Sequence, residues 1–371
     1  MTLSLPDFPW DSLAPVKERA RAFCAPEGDP RGSGLVDLSV GTPVDPTPAV
    51  VQEALRSAAD APGYPQTYGT PDLREAVADW FGRRRGAPDV DPDGVMPTIG
   101  SKELVAWLPT LLGITKGQTV AFPTVAYPTY DVGARIAGAT PFAADATTAF
   151  GPVTAASAPR LLWLNSPSNP TGKVLGVAHL RKVVRWARER GVIVASDECY
   201  AELPTTPSIL DPRVCEGSHE GLLAVCSTSK QSNLAGYRAA FVAGDVALVR
   251  RVLEVRKHAG MIVPWPVQVA LAAAVRDDAH VAEQKARYAA RRAVLKPAVE
   301  AFGLRVDESS AGLYLWSTAG EPAAATLDRL AERGILAAPG TFYGAAGAEH
   351  VRIALTASDE QISQAAARLT A

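Results

Sequence analysis

Residues 160–200, RLLWLNSPSNPTGKVLGVAHLRKVVRWARERGVIVASDECY, read as strand, turn, helix and strand in succession. The run RLLWL at 160–164 is short, apolar and of strand length, and VIVA at 192–195 is a second such run. Between them, residues 177–190 place Leu180, Val183, Val184 and Ala187 on one helical face. Continuous apolar strands exchanged with helices mark a mostly parallel sheet buried on both faces, hence an α/β protein.

Working outward, the same alternation continues. Helical periodicity covers 73–84 and 101–112, and strand-like runs cover 119–123, 222–226 and 239–242. Past Asp245 the pattern turns to helices at 246–257, 266–274 and 280–302, then short strands at 313–316 and 351–355 and a terminal helix. We expect an N-terminal arm with part of a small domain over 1–35, a large domain over 36–250 and a small C-terminal domain over 251–371.

Composition narrows the function classes. The 371 residues carry 37 Lys plus Arg against 39 Asp plus Glu, a formal charge of −2, which argues against a nucleic-acid partner. At 47% apolar and 20% charged residues the chain can bury a substantial core, and disorder is excluded as its dominant state. No stretch has the length and apolarity of a membrane span or signal peptide, so a soluble, cytoplasmic protein is expected. Cys24, Cys199, Cys215 and Cys226 have no CxxC spacing, and the five histidines have no metal-ligand spacing. We therefore expect no metal.

Neither GxGxxG after the first strand nor GxxxxGK[ST] occurs, so the common dinucleotide and triphosphate cradles are absent. Four other segments stand out. Residues 98–102, TIGSK, open a helix whose free N–H groups favour an anion, although Gly-Ser there also suits an ordinary cap. Residues 165–172, NSPSNPTG, follow the RLLWL strand where open α/β sheets bind ligands, or form only a rigid connection. Residues 196–200, SDECY, put a carboxylate at a strand end, costly to bury without a cation. Residues 227–230, STSK, end another strand, with Arg238 eight residues after Lys230. A poorly solvated lysine has a lowered pKa and condenses with aldehydes, whereas most lysines are simply at the surface.

In this order, NxPxNPTG, SDExY and SxSKxxxxxGxR resemble the class I and II aminotransferases of fold type I, which depend on pyridoxal 5′-phosphate (PLP). The likeness runs from VGTP at 40–43 to Arg352 in HVRIA at 350–354. It implies a mostly parallel seven-stranded central sheet with helices on both faces plus a smaller α+β domain. It also implies small amino-acid and 2-oxo-acid substrates, and a homodimer with shared active sites.

Residue by residue, the resemblance makes Lys230 the lysine joined to PLP and the proton shuttle, and Asp197 the partner of the pyridinium nitrogen. Asn169 and Tyr200 become donors to the cofactor's phenolic oxygen. Gly100, Ser101, Lys102, Ser227, Ser229 and Arg238 surround the phosphate, with Arg238 in a charge-assisted contact. Tyr127 resembles the aromatic stacked on the ring, with Tyr130 open as the alternative. Tyr64, in GYPQTYG at 63–69, matches a tyrosine that reaches the neighbouring subunit's phosphate. Gly41, Asn169 and Arg352 would bind substrate, Arg352 by clamping the α-carboxylate. One departure is Ala240, where many relatives have Gly.

Three segments, IGSKELVAWLPTLL at 99–112, VAYPTY at 125–130 and AGLYLW at 311–316, resemble more narrowly the actinobacterial N-succinyldiaminopimelate aminotransferases. That implies glutamate plus N-succinyl-2-amino-6-oxopimelate giving 2-oxoglutarate plus N-succinyl-LL-2,6-diaminopimelate. An aminotransferase for aspartate, aromatic or other amino acids, or a PLP-dependent C–S lyase, keeps the same motifs.

Overall fold

The computed structural model describes residues 5–203 and 206–371. Its centre is a seven-stranded sheet built from β1 (Val95–Ile99), β2 (Thr119–Phe122), β3 (Thr140–Ala143), β4 (Leu161–Asn165), β5 (Ile193–Asp197), β6 (Leu222–Ser227) and β7 (Ala239–Gly244). The spatial order is β1-β7-β6-β5-β4-β2-β3. Only β7 runs against its neighbours; the remaining pairings are parallel. The carboxyl ends of β4, β5 and β6 therefore share one sheet edge, with Asn165 in register with Asp197 and Asp197 with Val225.

Strands 160–164, 192–195, 222–226 and 239–242 lie where the sequence puts them, within two residues at each end. The sequence reading misses β1 and β3. Both are edge strands carrying a proline, Pro97 and Pro141, a residue that cannot donate to a ladder and so masks a strand signal while suiting a sheet margin.

A four-stranded antiparallel sheet forms the smaller layer, from β8 (Arg305–Asp307), β9 (Tyr314–Thr318), β10 (Ala338–Pro339) and β11 (Val351–Ala354), in the order β10-β11-β9-β8. Its core joins Leu13, Val36 and Leu38 to Leu295, Leu315, Ile353 and Leu369, so the start of the chain packs with its end. Val263, Val267, Leu271 and Val275 are buried with the large sheet, as are Val249, Val252 and Leu253. The helices Val246–Ala259 and Trp265–Arg276 thus belong with the large core. The helix Asp278–Ala301 is the first after β7 with residues buried against strands of the small sheet, Tyr288, Leu295 and Val299 among them.

Among the described residues no helix is long and apolar enough to cross a membrane, and no cluster of His, Cys, Asp and Glu could hold a metal ion.

Candidate active site

One cavity of about 1460 Å³ lies at the carboxyl edge of the large sheet, between it and the small layer. Gly41, Ser101, Lys102, Tyr127, Asn169, Asp197, Tyr200, Ser227, Ser229, Lys230, Arg238 and Arg352 all line it. The motif residues, scattered over more than 300 positions, converge because three parallel strands end side by side and β11 faces them.

The β4 loop is held by Asn165. Its Oδ1 accepts from the Asn169 N–H at 2.7 Å, and its Nδ2 donates to the Asp197 carbonyl at 2.9 Å. Asn165 therefore fills the purely structural role, while Asn169 Oδ1 accepts from Arg352 Nη1 at 2.9 Å and faces the cavity.

Asp197 is buried with no cationic side chain beside it among the described residues. Tyr130 Oη donates to its Oδ2 at 2.8 Å, and the Cys199 N–H donates to Oδ1 at 3.2 Å. Burial raises its pKa, opposed by these hydrogen bonds. Its neighbour Glu198 is the opposite case, bonded by Arg85 Nη2 at 3.1 Å, Ser208 Oγ at 3.2 Å and the Ile209 N–H at 2.7 Å. Two adjacent carboxylates are buried, and the protein neutralises only one.

Lys230 follows β6 and donates from Nζ to the Gly41 carbonyl. Burial first, then repulsion from Arg352, brings its pKa down from 10.5 to about 8. Arg352, buried on β11, also lacks a carboxylate partner. Its Nη2 donates to the Ser39 carbonyl at 2.6 Å, its Nε has no partner, and the Tyr314 ring lies 4.1 Å from its guanidinium carbon. It is not a salt-bridged strand arginine.

At the helix Ser101–Leu111 the cap position is Gly100, with φ of 73°, and no side chain caps the first turn. A Cβ at Gly100 would collide with Arg238 Nη2, so glycine lets the guanidinium reach the helix start. Arg238 itself has φ of 55° and donates from Nη1 to the Ala235 carbonyl at 2.8 Å. Burial and the nearby Arg238 charge lower the pKa of Lys102. Ser227 Oγ and Ser229 Oγ, 2.8 Å apart, line the same cavity.

Of the two aromatic candidates, Tyr127 faces the cavity, and burial raises its pKa to about 12. Tyr130 lies behind Asp197, stacked on Trp163 at 5.0 Å. Tyr64 is fully exposed and does not reach its own chain's cavity. Ala240 is buried in β7 opposite Ser227.

The sequence reading missed Tyr314 and Tyr343, and also Phe8 and Trp10 of the N-terminal arm, which wall the cavity. Tyr314 sits in the quoted AGLYLW segment, but nothing in a β-strand pattern tells an aromatic facing a cavity from one in a core.

Residues 33–369 match the family described as aminotransferase class I and II, and the chain belongs to that family. It is a PLP-dependent aminotransferase. A probable aminotransferase of Mycobacterium tuberculosis is 57% identical over 373 residues, spanning 100% of this chain and 86% of that one. The 4-dedimethylamino-4-oxo-anhydrotetracycline transaminase of Streptomyces rimosus is 55% identical over 371 residues, 99% of each chain. The crystal structure of an aminotransferase from Neisseria meningitidis superposes with a TM-score of 0.84 at 30% identity, covering 99% of this chain and 97% of that one.

The residues present fit PLP. An uncapped helix start beside Arg238 could hold a phosphate. A buried carboxylate without a cation could hold a protonated ring nitrogen, and a lysine with a depressed pKa could engage an aldehyde.

Proposed function

We propose that this aminotransferase moves an amino group from glutamate to N-succinyl-2-amino-6-oxopimelate, giving N-succinyl-LL-2,6-diaminopimelate and 2-oxoglutarate, in the cytoplasm. The observation that carries this reading is that Arg352 and Lys102, two of the cations in one cavity, have no carboxylate partner among the described residues. Arg352 has a free Nε, and Lys102 has a pKa lowered by burial and Arg238. A substrate with carboxylates at both ends supplies what each lacks. The likeness of 99–112, 125–130 and 311–316 to N-succinyldiaminopimelate aminotransferases supports the same choice.

In this reading Lys230, Asp197, Asn169, Tyr200, Tyr127, Ser227, Ser229, Arg238 and the 100–102 backbone hold PLP, which supplies an electron sink for the pair left when a substrate Cα–H bond breaks. Lys230 Nζ removes that proton and later returns one. A pKa of about 8 leaves roughly one lysine in ten neutral at pH 7, against about one in 3,000 at 10.5. Arg352 binds the α-carboxylate and, held flat against Tyr314, fixes the orientation of the Cα–H bond. Asp197 would hold the protonated ring nitrogen of PLP, since without that positive charge its own buried carboxylate stays uncompensated. Tyr64 reaches the phosphate site of a second copy, making the active unit a homodimer.

A second reading takes a bulky ring ketone as acceptor. The observation favouring it is the cavity's aromatic wall of Phe8, Trp10 and Phe342, together with the anhydrotetracycline substrate for which the Streptomyces rimosus relative is named. The test is to load the protein with PLP and assay N-succinyl-LL-2,6-diaminopimelate against 2-oxoglutarate, following glutamate. No turnover there, with rapid turnover of aspartate or of a polycyclic amine, would reject the diaminopimelate reading.

A further inference from the structure

Tyr200 and Tyr314 meet across the two layers of the fold. Tyr200 comes from the loop after β5 and Tyr314 from β9 of the small sheet. Their hydroxyl oxygens are 3.0 Å apart and their rings pack edge to face at 5.7 Å. Both side chains are buried, and both line the cavity. Among the described residues neither hydroxyl has another hydrogen-bond partner. The pair holds two hydrogens and makes one mutual bond, so one hydrogen is left for something in the cavity.

We propose that Tyr314 is a positioning residue whose hydroxyl donates to Tyr200, turning the Tyr200 hydrogen toward the phenolic oxygen of bound PLP. The direction follows from the surroundings. The Arg352 guanidinium lies against the Tyr314 ring, and that positive charge favours Tyr314 as the donor and Tyr200 as the acceptor. Gly41 lacks the Cβ that would strike the Tyr314 hydroxyl, which leaves that oxygen room to meet Tyr200. A phenol that already accepts a hydrogen bond is a stronger donor, because successive bonds polarise one another. The two tyrosines then act as one donor chain, with its far end anchored in the small layer. This rests on the proposed placing of Tyr200 at the cofactor.

The other titratable or charged groups packed around the pair are Asp197 and Cys199 beside Tyr200, Lys230 after β6, Tyr288 and Arg292 of the helix Asp278–Ala301, Tyr127, Tyr343 and Arg352. None of them replaces the Tyr314 hydroxyl as a partner of Tyr200.

The test is a pH titration of the visible absorbance of PLP in the resting holoenzyme, with no substrate present. Donors to the phenolic oxygen stabilise its anionic form and lower the pH at which the lysine–cofactor linkage loses its proton. Y314F should move that midpoint upward by about 0.5, as expected for weakening one buried hydrogen bond. Y200F should move it further, and the double variant should match Y200F. Tyr314→His, which returns a ring N–H donor, should recover part of the shift. An unmoved Y314F midpoint beside a shifted Y200F overturns the inference and leaves the site reading intact. A Y314F effect that persists in full in the Y200F background overturns it as well. If Y200F itself has no effect, the placing of Tyr200 fails and the inference falls with it. Thermal unfolding of each variant, run alongside, reports a purely structural role: a lower Tm with an unmoved midpoint counts against the inference.

Discussion

The amine that serves the chemistry should weaken the empty protein. Burial and the Arg352 charge hold Lys230 at a pKa of about 8, against 10.5 when exposed. Below the folded value it is charged in both states, and the full penalty of burying that charge acts against folding. Above the unfolded value it is neutral in both states, and the penalty is gone. A difference of this size corresponds to about 3 kcal/mol, at about 1.4 kcal/mol per pH unit. Lys230→Met removes the charge and keeps much of the apolar stem. Allowing for the lost bond to the Gly41 carbonyl, the apo variant should be more stable than wild type by about 2 kcal/mol at pH 7. For a chain of this length that is a Tm higher by about 3 °C. The gap should close as pH rises from 8 toward 10.5. Apo proteins compared by scanning calorimetry across that range give the answer, with turnover measured after PLP is added back and expected to be lost in the variant. An apo Lys230→Met protein no more stable than wild type at pH 7, or a gap that widens with pH, would refute the reasoning.

Three other substitutions probe the remaining charges. Asp197→Asn takes away a buried carboxylate with no cation, so the apo protein should hold or gain stability, while kcat falls by about 100-fold or more with PLP bound; calorimetry and steady-state rates check the two halves. Arg352→Lys keeps the charge but loses the planar fork seated on Tyr314. It should lower kcat/KM for every 2-oxo acid by at least about 30-fold, the cost of breaking one buried charge pair. Gly100→Ala meets both a left-handed backbone and the Arg238 guanidinium, and should weaken PLP binding by about 10-fold or more, measured by fluorescence titration of the apoenzyme.

The parallel part of the fold was legible because strands buried on both faces announce themselves as unbroken apolar runs, as LLWL at 161–164 and LLAVC at 222–226 do. The two margins were not. Pro97 and Pro141 erase the strand signal where an unpaired edge tolerates them. The resemblance of the ordered motifs to a known family brought out Lys230, Asp197, Asn169, Arg238 and Arg352, and the structure gathers all five around one cavity. Spacing could not separate Tyr127 from Tyr130, since both lie near the same helix start and only packing sends one to the cavity and the other behind Asp197. Tyr314 escaped for a related reason: its importance lies in a hydroxyl 114 positions away in sequence.

The strongest physical argument for a ligand here is a charge pattern that the fold could have cancelled and does not. Elsewhere it pairs buried ions readily: Arg85 with Glu198, Arg256 with Glu103, and Arg291 with Asp45. Around the cavity Asp197, Lys230, Arg238 and Arg352 stay within one space and form no salt bridge among the described residues, although opposite signs are present. Each is held by neutral groups instead: a phenol, backbone carbonyls and an amide oxygen. Such an arrangement costs stability, as the Lys230 prediction measures. The uncompensated sign differs from wall to wall, negative at Asp197 and positive at Arg238 and at Arg352. A ligand complementary to all three must carry a protonated nitrogen at one end, a phosphate at the other and, in its partner substrate, a carboxylate. Pyridoxal phosphate together with an amino-acid substrate would carry that sequence of charges, so their binding would offset the cost of holding these groups apart.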